Sequence, residues 1–207
     1  MNSKKLGFVI FALTSLATRN ACVASEINFD DVSFPGGNAT AFARLPAGYQ
    51  GFNWGGGNGT DSWLVSPNDA TGWQGGAKQP YSHSGNNFVW NNAGTNLELT
   101  PSSGTFNLES FWVRSWARTT YAVTAHGYLN GTEIFTQGFT TSDTYAQITA
   151  NFSGIDRFTL TLPAPGSILL DDISVKVVPA PGALLGGLVG FAPGIYMLLR
   201  RRNRKVS

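Results

Sequence analysis

The stretch YAVTAHGYLNGTEIFT, residues 121–136, decides the fold class of this chain. Short runs of aromatic and β-branched residues lie on either side of Asn130-Gly131, and such runs between turn signals are typical of strands. Asn-Gly is favoured in a two-residue hairpin turn, where both residues need a positive φ. The sequence therefore predicts an antiparallel β-hairpin with strands over 121–129 and 133–136.

Further strands are predicted on both sides of this hairpin. Residues 106–116 carry apolar side chains on both faces, which indicates a central strand. Shorter runs of aromatic and β-branched residues recur between turn signals. These runs cover residues 27–34, 88–90, 97–100, 145–152, 157–162 and 168–177. No helical period lasts for more than a turn, so we expect an all-β antiparallel β-sandwich or jelly roll.

The N-terminus, residues 1–24, has the pattern of a secretory signal peptide. A basic start precedes an apolar run that is too short to span a membrane, and small residues allow cleavage after Ala24. Cleavage there removes Cys22, the only cysteine, so the exported chain has no disulfide and depends on core packing or a metal ion. We therefore expect one folded domain over residues 25–177.

The C-terminal segment, residues 178–207, has three parts in a fixed order. A Pro-X-Pro motif comes first, an uncharged run over 182–199 follows, and a basic cluster ends the chain. A helix of about 18 residues is about 27 Å long, close to the thickness of a bilayer core, so the run predicts a single transmembrane helix. The alternative is a buried helix of a soluble domain, which the glycines and proline of the run disfavour. The motif is Pro179, Ala180 and Pro181, and the cluster is Arg200, Arg201, Arg202, Arg204 and Lys205.

This order of parts resembles the sorting signal of the bacterial PEP-CTERM class, in which Pro-Glu-Pro precedes one membrane helix and an arginine cluster. The resemblance covers residues 178–207 and departs from the class at Ala180, as in its VPxP-type variants. It implies that an exosortase, an integral-membrane cysteine transpeptidase, cuts the tail and passes the body to the cell surface or to extracellular polysaccharide. The precursor is then expected in the inner membrane, with the basic cluster in the cytoplasm.

The charge of residues 25–177 bears on the class of function. All 12 acidic residues fall in this segment, against six of the 14 basic residues, so its net charge is near −6. Nucleic-acid binding needs a basic face, and we therefore expect no nucleic-acid partner. The sequence contains no recognisable catalytic or phosphate-binding motif. We therefore expect a protein that is not an enzyme.

A second, looser resemblance covers most of the body. Phe29-Asp-Asp-Val32, residues 45–54, residues 127–131 and Leu170-Asp-Asp-Ile-Ser-Val175 are similar to motifs of extracellular jelly rolls of the galactose-binding-like type. Such folds are common in carbohydrate-binding modules, and the resemblance implies a glycan ligand by analogy.

Aromatic residues in the Gly- and Asn-rich segment 55–86, which is predicted to be mostly loop, are the candidate ligand-binding residues. Sugar recognition uses flat aromatic faces together with amide and carboxylate hydrogen bonds. The alternative is that these rings fill the core from a long loop. The candidates are Trp63, Trp73, Tyr81 and His83.

Two Asp-Asp pairs suggest a structural calcium ion. Asp30-Asp31 falls in the predicted first strand and Asp171-Asp172 in the last strand, and these strands are often neighbours in a jelly roll. Carboxylates that are brought together repel one another, and calcium, which takes about six to eight oxygen ligands, would hold them. The alternative is that these carboxylates are solvated or accept hydrogen bonds from loop amides.

Two functions remain open at this point. The first is an exported surface or extracellular-matrix protein that is sorted by its tail and binds carbohydrate. The second is a membrane-anchored structural protein whose tail is never processed and whose β-sandwich binds a protein partner.

Overall fold

The computed structural model describes most of the chain between Val23 and Val178. The described residues are 23–34, 42–55, 63–68, 80–91, 96–116, 119–162 and 166–178. Outside them lie residues 1–22 of the predicted signal peptide, the Pro179-Ala180-Pro181 motif, the predicted membrane helix over 182–199, the basic cluster and Trp73. Val23 and Ala24, the last two residues of the predicted signal peptide, are described and lie in the first strand. Within these ranges, no helix has the length and apolar character needed to cross a membrane.

Twelve β-strands make up nearly all the regular structure of the described residues. In chain order they are β1 (Val23–Ile27), β2 (Ala43–Arg44), β3 (Phe52–Gly55), β4 (Leu64–Pro67), β5 (Asn87–Trp90), β6 (Asn96–Pro101), β7 (Thr105–Ser115), β8 (Tyr121–Leu129), β9 (Thr132–Thr141), β10 (Ala146–Ile155), β11 (Arg157–Thr161) and β12 (Ile168–Val178). A short 3-10 helix, Tyr49–Gly51, precedes β3.

The strands form two antiparallel sheets that pack face to face. The seven-stranded sheet has the order β10-β7-β12-β5-β4-β2, and β1 also pairs with β12. The five-stranded sheet has the order β3-β6-β11-β8-β9. This arrangement confirms the predicted all-β antiparallel sandwich. It also confirms the central position of the long strand β7, which lies between β10 and β12.

The hairpin over residues 121–136 forms as predicted. β8 and β9 pair along their length, and Asn130 and Gly131 at the turn have φ values of 51° and 78°. Asparagine and glycine are the residues that tolerate this left-handed backbone best, so the local sequence and the sheet favour the same conformation.

The first and last strands are neighbours, as expected, with Ile27 opposite Ile173. The first strand, however, covers residues 23–27 and not the predicted 27–34, so it begins and ends earlier than expected. Phe29 has a φ of 64°, which turns the chain while its ring stays fully buried. Asp30 and Asp31 therefore lie in a turn and not in a strand.

The segment predicted as loop, residues 55–86, contains the strand β4. All four of its residues are buried, so there is no alternation of apolar and polar positions for sequence analysis to detect. Pro67 at its end weakens the strand signal further.

Two hydrophobic clusters form, one between the sheets and one outside them. Leu170 and Val89 belong to the main core between the sheets. Because successive strand residues point to opposite faces, their neighbours Leu169 and Trp90 lie on the outer face of the seven-stranded sheet. The outer cluster comprises Leu64, Tyr81, Phe88, Trp90 and Leu169. Residues 80–87, here called the covering segment, lie over this part of the sheet and contribute Tyr81 to the cluster.

Candidate functional site

Two polar surfaces are candidates, one on the outer face of each sheet. On the seven-stranded sheet, Asp171 is fully buried and accepts hydrogen bonds from the covering segment. Its Oδ2 accepts from the backbone N–H groups of His83 and Ser84 at 2.8 and 3.1 Å, and its Oδ1 accepts from that of Asp172 at 2.9 Å. Asp171 therefore fixes the covering segment to the sheet.

Asp172 holds the side chains of the same two residues. Its Oδ2 lies 2.6 Å from Nδ1 of His83, and its Oδ1 accepts from the hydroxyl of Ser84 at 2.7 Å. Successive strand residues normally point to opposite faces. Here Asp172 has a φ of 44° and lies at a shift in the pairing of β12 with β7, so both carboxylates reach the covering segment.

The ends of the covering segment are held in the same way by two other side chains. Asn68 accepts at Oδ1 from the N–H groups of Tyr81 and Ser82 at 2.7 and 2.8 Å. Asp30 accepts at Oδ1 from those of Asn86 and Asn87 at 2.7 and 3.0 Å. Asn68, Asp30 and Asp171 thus accept from six backbone N–H groups of the covering segment. Burying those N–H groups without acceptors would cost free energy.

These contacts bear on the two interpretations of the Asp-Asp pairs. Asp30 and Asp171 accept hydrogen bonds from loop amides, and Asp31 accepts from the amide of Gln50 at 2.9 Å and from the hydroxyl of Tyr49. Among the residues that the structure describes, no group of three or more His, Cys, Asp or Glu side chains is placed to hold a metal ion. The arrangement therefore fits the alternative of amide-bonded carboxylates better than the calcium hypothesis.

Burial changes the acidity of this region. Desolvation, and next the neighbouring Asp172 carboxylate, raise the pKa of Asp171 to about 8. Burial, with a further contribution from the Asp171 carboxylate, raises the pKa of Tyr145 well above its usual value. The Tyr145 hydroxyl donates to the carbonyl of Tyr81 at 2.7 Å, so it is another contact that holds the covering segment.

A small cavity of about 230 Å³ lies beside this cluster, lined in part by His83, Arg114 and Tyr145. Arg114 is 3% exposed, and its Nη1 donates to the carbonyl of Pro80 at 3.1 Å. Its guanidinium lies 5.6 Å from the centre of the Tyr145 ring. Polar groups on this face are thus used largely for contacts within the protein.

The structure separates the predicted aromatic ligand-binding residues. Trp63 is 2% exposed and belongs to the main core, where its Nε1 donates to the carbonyls of Gly55 and Glu98 at 2.9 and 3.0 Å. Tyr81 is 4% exposed in the outer cluster and stacks on Trp116. Neither ring presents a free face for a sugar, so the alternative that these rings fill the core describes both, and the platform prediction is corrected for them.

His83 differs from those two residues because 29% of its side chain is exposed. Its ring stacks on Trp112, with centroids 3.7 Å apart and planes 15° apart. One face of the imidazole is therefore used inside the protein, and Nδ1 is held by Asp172 as described above.

The outer face of the five-stranded sheet carries an open groove of about 460 Å³. It crosses β6, β11 and β8, whose core-facing residues alternate with outward polar residues. The groove is lined by Asn96, Leu97, Glu98, Tyr128, Arg157, Thr159 and Thr161. Thr159 lies opposite Glu98 on one side and His126 on the other, so a polar row runs across the strands.

Contacts among the groove side chains are few and open to solvent. Arg157 lies with its guanidinium 4.0 Å from the centre of the Tyr128 ring, and its Nη1 is 3.6 Å from Oε2 of Glu98. The side chains of Arg157 and Glu98 are each 37% exposed. The sequence does not reveal this site because its residues come from three separate strands, although the alternation within each strand shows which of its residues point outward.

Comparisons with known proteins find solved structures with a similar fold, but they assign the chain to no family. No family model matches the chain, and no curated protein matches it. Among solved structures, the adhesin domain of Lys-gingipain from Porphyromonas gingivalis W83 is 11% identical with a TM-score of 0.46, covering 75% of this chain and 99% of that one.

Two carbohydrate-binding modules are also similar. The CBM22-1 xylan-binding domain of Paenibacillus barcinonensis Xyn10C is 14% identical with a TM-score of 0.41, covering 75% of this chain and 94% of that one. The family 29 module CBM29_1 from Piromyces equi is 13% identical with a TM-score of 0.38, covering 80% and 97%. Identities and TM-scores this low do not transfer a ligand to this chain.

Proposed function

We propose that the domain is a non-catalytic binding module that holds a polysaccharide in the groove of the five-stranded sheet. The observation that carries this proposal is an open groove of about 460 Å³ lined by amide, carboxylate, guanidinium, hydroxyl and aromatic groups. Sugar hydroxyls both donate and accept hydrogen bonds, and these side chains offer the matching donors and acceptors.

Tyr128 supplies the aromatic surface that sugar rings favour. Arg157 now lies over that ring at 4.0 Å, and its side chain is 37% exposed. An exposed cation–π contact contributes about 0.5–1 kcal/mol, so a ligand displaces the guanidinium at a small cost. Arg157 can then donate to ligand hydroxyls while the sugar stacks on Tyr128.

Binding to a panel of purified polysaccharides tests the proposal. Replacing Tyr128 by Ala should lower the affinity about fivefold, which matches the roughly 1 kcal/mol of a stacked ring. Tyr128→Phe should retain most of the affinity because it keeps the ring. Thr140→Ala changes an exposed residue of β9 outside the groove and serves as the matched control. The proposal would be overturned if Tyr128→Ala left binding unaffected, or if the wild-type domain bound none of the polysaccharides.

We also propose that the chain is exported and that an exosortase-type enzyme processes its tail. The support is the sequence alone: the leader over 1–24 and the ordered Pro-X-Pro motif, apolar run and basic cluster over 178–207. Replacing Pro179 and Pro181 by Ala should leave the full-length chain in the inner membrane. Mass spectrometry that finds the tail intact through Ser207 on the mature wild-type protein would show plain anchoring instead.

A further inference from the structure

The edges of the two sheets are protected to different degrees. An edge strand exposes unpaired backbone groups, and proteins limit this hazard with short strands, bulges, proline or lysine. In the described part of the chain, β2 and β3 are edge strands of only two and four residues. The strand β1, whose one partner among the described residues is β12, has five residues. These edges are too short to act as templates.

The long edge strand β10 is irregular. Its pairing with β7 shifts between Thr149 and Phe152 and again between Phe152 and Ile155. Asn151 and Gly154 have φ values of 53° and 65°, and the Gly154 N–H donates to the side chain of Asn107 at 2.8 Å. Bulges of this kind bend an edge and interrupt the row of groups that another strand would need.

The edge strand β9 carries no proline or lysine, and it is neither short nor irregular along most of its length. It has ten residues, contains no proline, lysine or arginine, and pairs only with β8 among the described residues. Its single register shift lies next to the hairpin turn, and pairing is regular from Phe135 to Thr141. Its one charged residue, Glu133, lies near the same end, and the neighbouring Ile134 is one of the exposed large apolar residues of the described ranges, at 42%.

We propose that β9 pairs with β9 of a second copy of this chain in an antiparallel register, which joins two five-stranded sheets into one. A two-fold axis at Gln137 places Phe135 of one copy opposite Phe139 of the other, and aromatic cross-strand pairs stabilise a sheet. The same register places Glu133 opposite Thr141, so the two glutamates lie at opposite ends. A parallel, in-register pairing would instead place the Glu133 carboxylates of the two copies side by side.

Position-specific cross-linking of the full chain tests this pairing. In a Cys22→Ser background, a short bismaleimide should join two copies carrying Gln137→Cys, because position 137 meets its own copy at the axis. Copies carrying Thr132→Cys should not be joined, because five residues on each side of the axis separate them by roughly 33 Å. Cross-linking of both variants would indicate parallel or random contact, and cross-linking of neither would indicate no pairing. Both outcomes would overturn the proposal.

Two lysines on the edge provide an independent test that leaves the core untouched. Thr136 and Thr140 are exposed, so replacing both by Lys in the Gln137→Cys chain should lower the yield of cross-linked dimer at least about tenfold. Thr149→Lys on the bulged strand β10 is the matched control and should leave the yield unchanged. Far-UV circular dichroism and the melting temperature verify folding of each variant. Dimers that persist in the folded double variant would show that another surface, such as the C-terminal tail, brings the copies together.

Discussion

The two sheets of the sandwich use polar residues in opposite ways on their outer faces. On the seven-stranded sheet, Asp171 and Arg114 are buried and bond to the covering segment, residues 80–87. On the five-stranded sheet, Glu98 and Arg157 are each 37% exposed and lie in an open groove. A polar group that is removed from water must be matched by partners, whereas an exposed polar group remains available. The first face is therefore expected to carry stability, and the second to carry binding.

Asp171→Ala should produce the largest effect on stability. It removes a buried acceptor of three backbone N–H groups, and uncompensated buried groups of this kind cost about 3 to 5 kcal/mol in total. Urea unfolding measures the change. Glu133→Ala removes a carboxylate whose side chain is 41% exposed, and should change the free energy of unfolding by less than about 1 kcal/mol. Equal effects of the two substitutions would remove the distinction between the two faces.

Gly85→Ala should have the next largest effect. Gly85 has a φ of 50°, and a Cβ there would overlap the carboxylate of Asp30. The left-handed backbone costs about 1 kcal/mol for alanine, and displacement of Asp30 weakens its two amide hydrogen bonds, so we expect a loss of about 2 to 3 kcal/mol.

Gly138→Ala is the matched control for this substitution. Gly138 lies in β9 on the five-stranded sheet, and a Cβ there meets nothing within 4 Å. Thermal unfolding should show almost no change for Gly138→Ala. If Gly85→Ala were equally harmless, Asp30 would not be holding the covering segment.

The stability that comes from Asp171, on the face of the seven-stranded sheet, should also depend on pH. The pKa of Asp171 is raised to about 8 in the folded protein, whereas an unfolded aspartate has a pKa of about 3.9. The folded state therefore binds the proton more tightly. The stability from this group is fully present below about pH 4 and is lost as the pH rises through about 8, with a slope of at most about 1.4 kcal/mol per pH unit.

Asp171→Asn provides the comparison for this titration, because it keeps the shape of the side chain and cannot ionise. Unfolding in urea at pH 5, 6, 7 and 8 should show the wild-type chain losing stability relative to Asp171→Asn. If the free energies of unfolding of the two chains changed in parallel with pH, the carboxyl of Asp171 would have the same pKa in the folded and unfolded states.

Local patterns in the sequence predicted the parts of the fold that depend on local chemistry. The runs of aromatic and β-branched residues and the Asn130-Gly131 turn predicted the β8–β9 hairpin, and apolar residues on both faces predicted the central position of β7. The fate of the Asp-Asp pairs depended on backbone irregularities instead. The positive φ of Phe29 and of Asp172 moves both pairs out of regular strand geometry. Neither residue type predicts a positive φ at these positions.

The candidate site was harder to predict than the fold. Alternation shows that Glu98, Tyr128 and Thr159 point outward from their strands, but the neighbour order β6-β11-β8 is a long-range pairing that local patterns do not contain. Likewise, a tryptophan or tyrosine in a Gly-rich segment can serve the core or a ligand. Only the packing shows that Trp63 and Tyr81 are buried and that His83 is partly exposed.

Glu98→Gln should change stability little, and this substitution tests the open face most directly. Glu98 and Arg157 form an exposed ion pair at 3.6 Å, and such pairs contribute about 0–1 kcal/mol, so the free energy of unfolding should change by no more than about 1 kcal/mol. The affinity for the polysaccharide should nevertheless fall about fivefold or more, because a charge-assisted hydrogen bond is replaced by a neutral one. Glu133→Gln, in β9 and outside the groove, should change neither quantity. A loss of 2 kcal/mol or more in stability for Glu98→Gln would contradict this prediction, because the groove residues would then hold the sheet together just as Asp171 holds the covering segment.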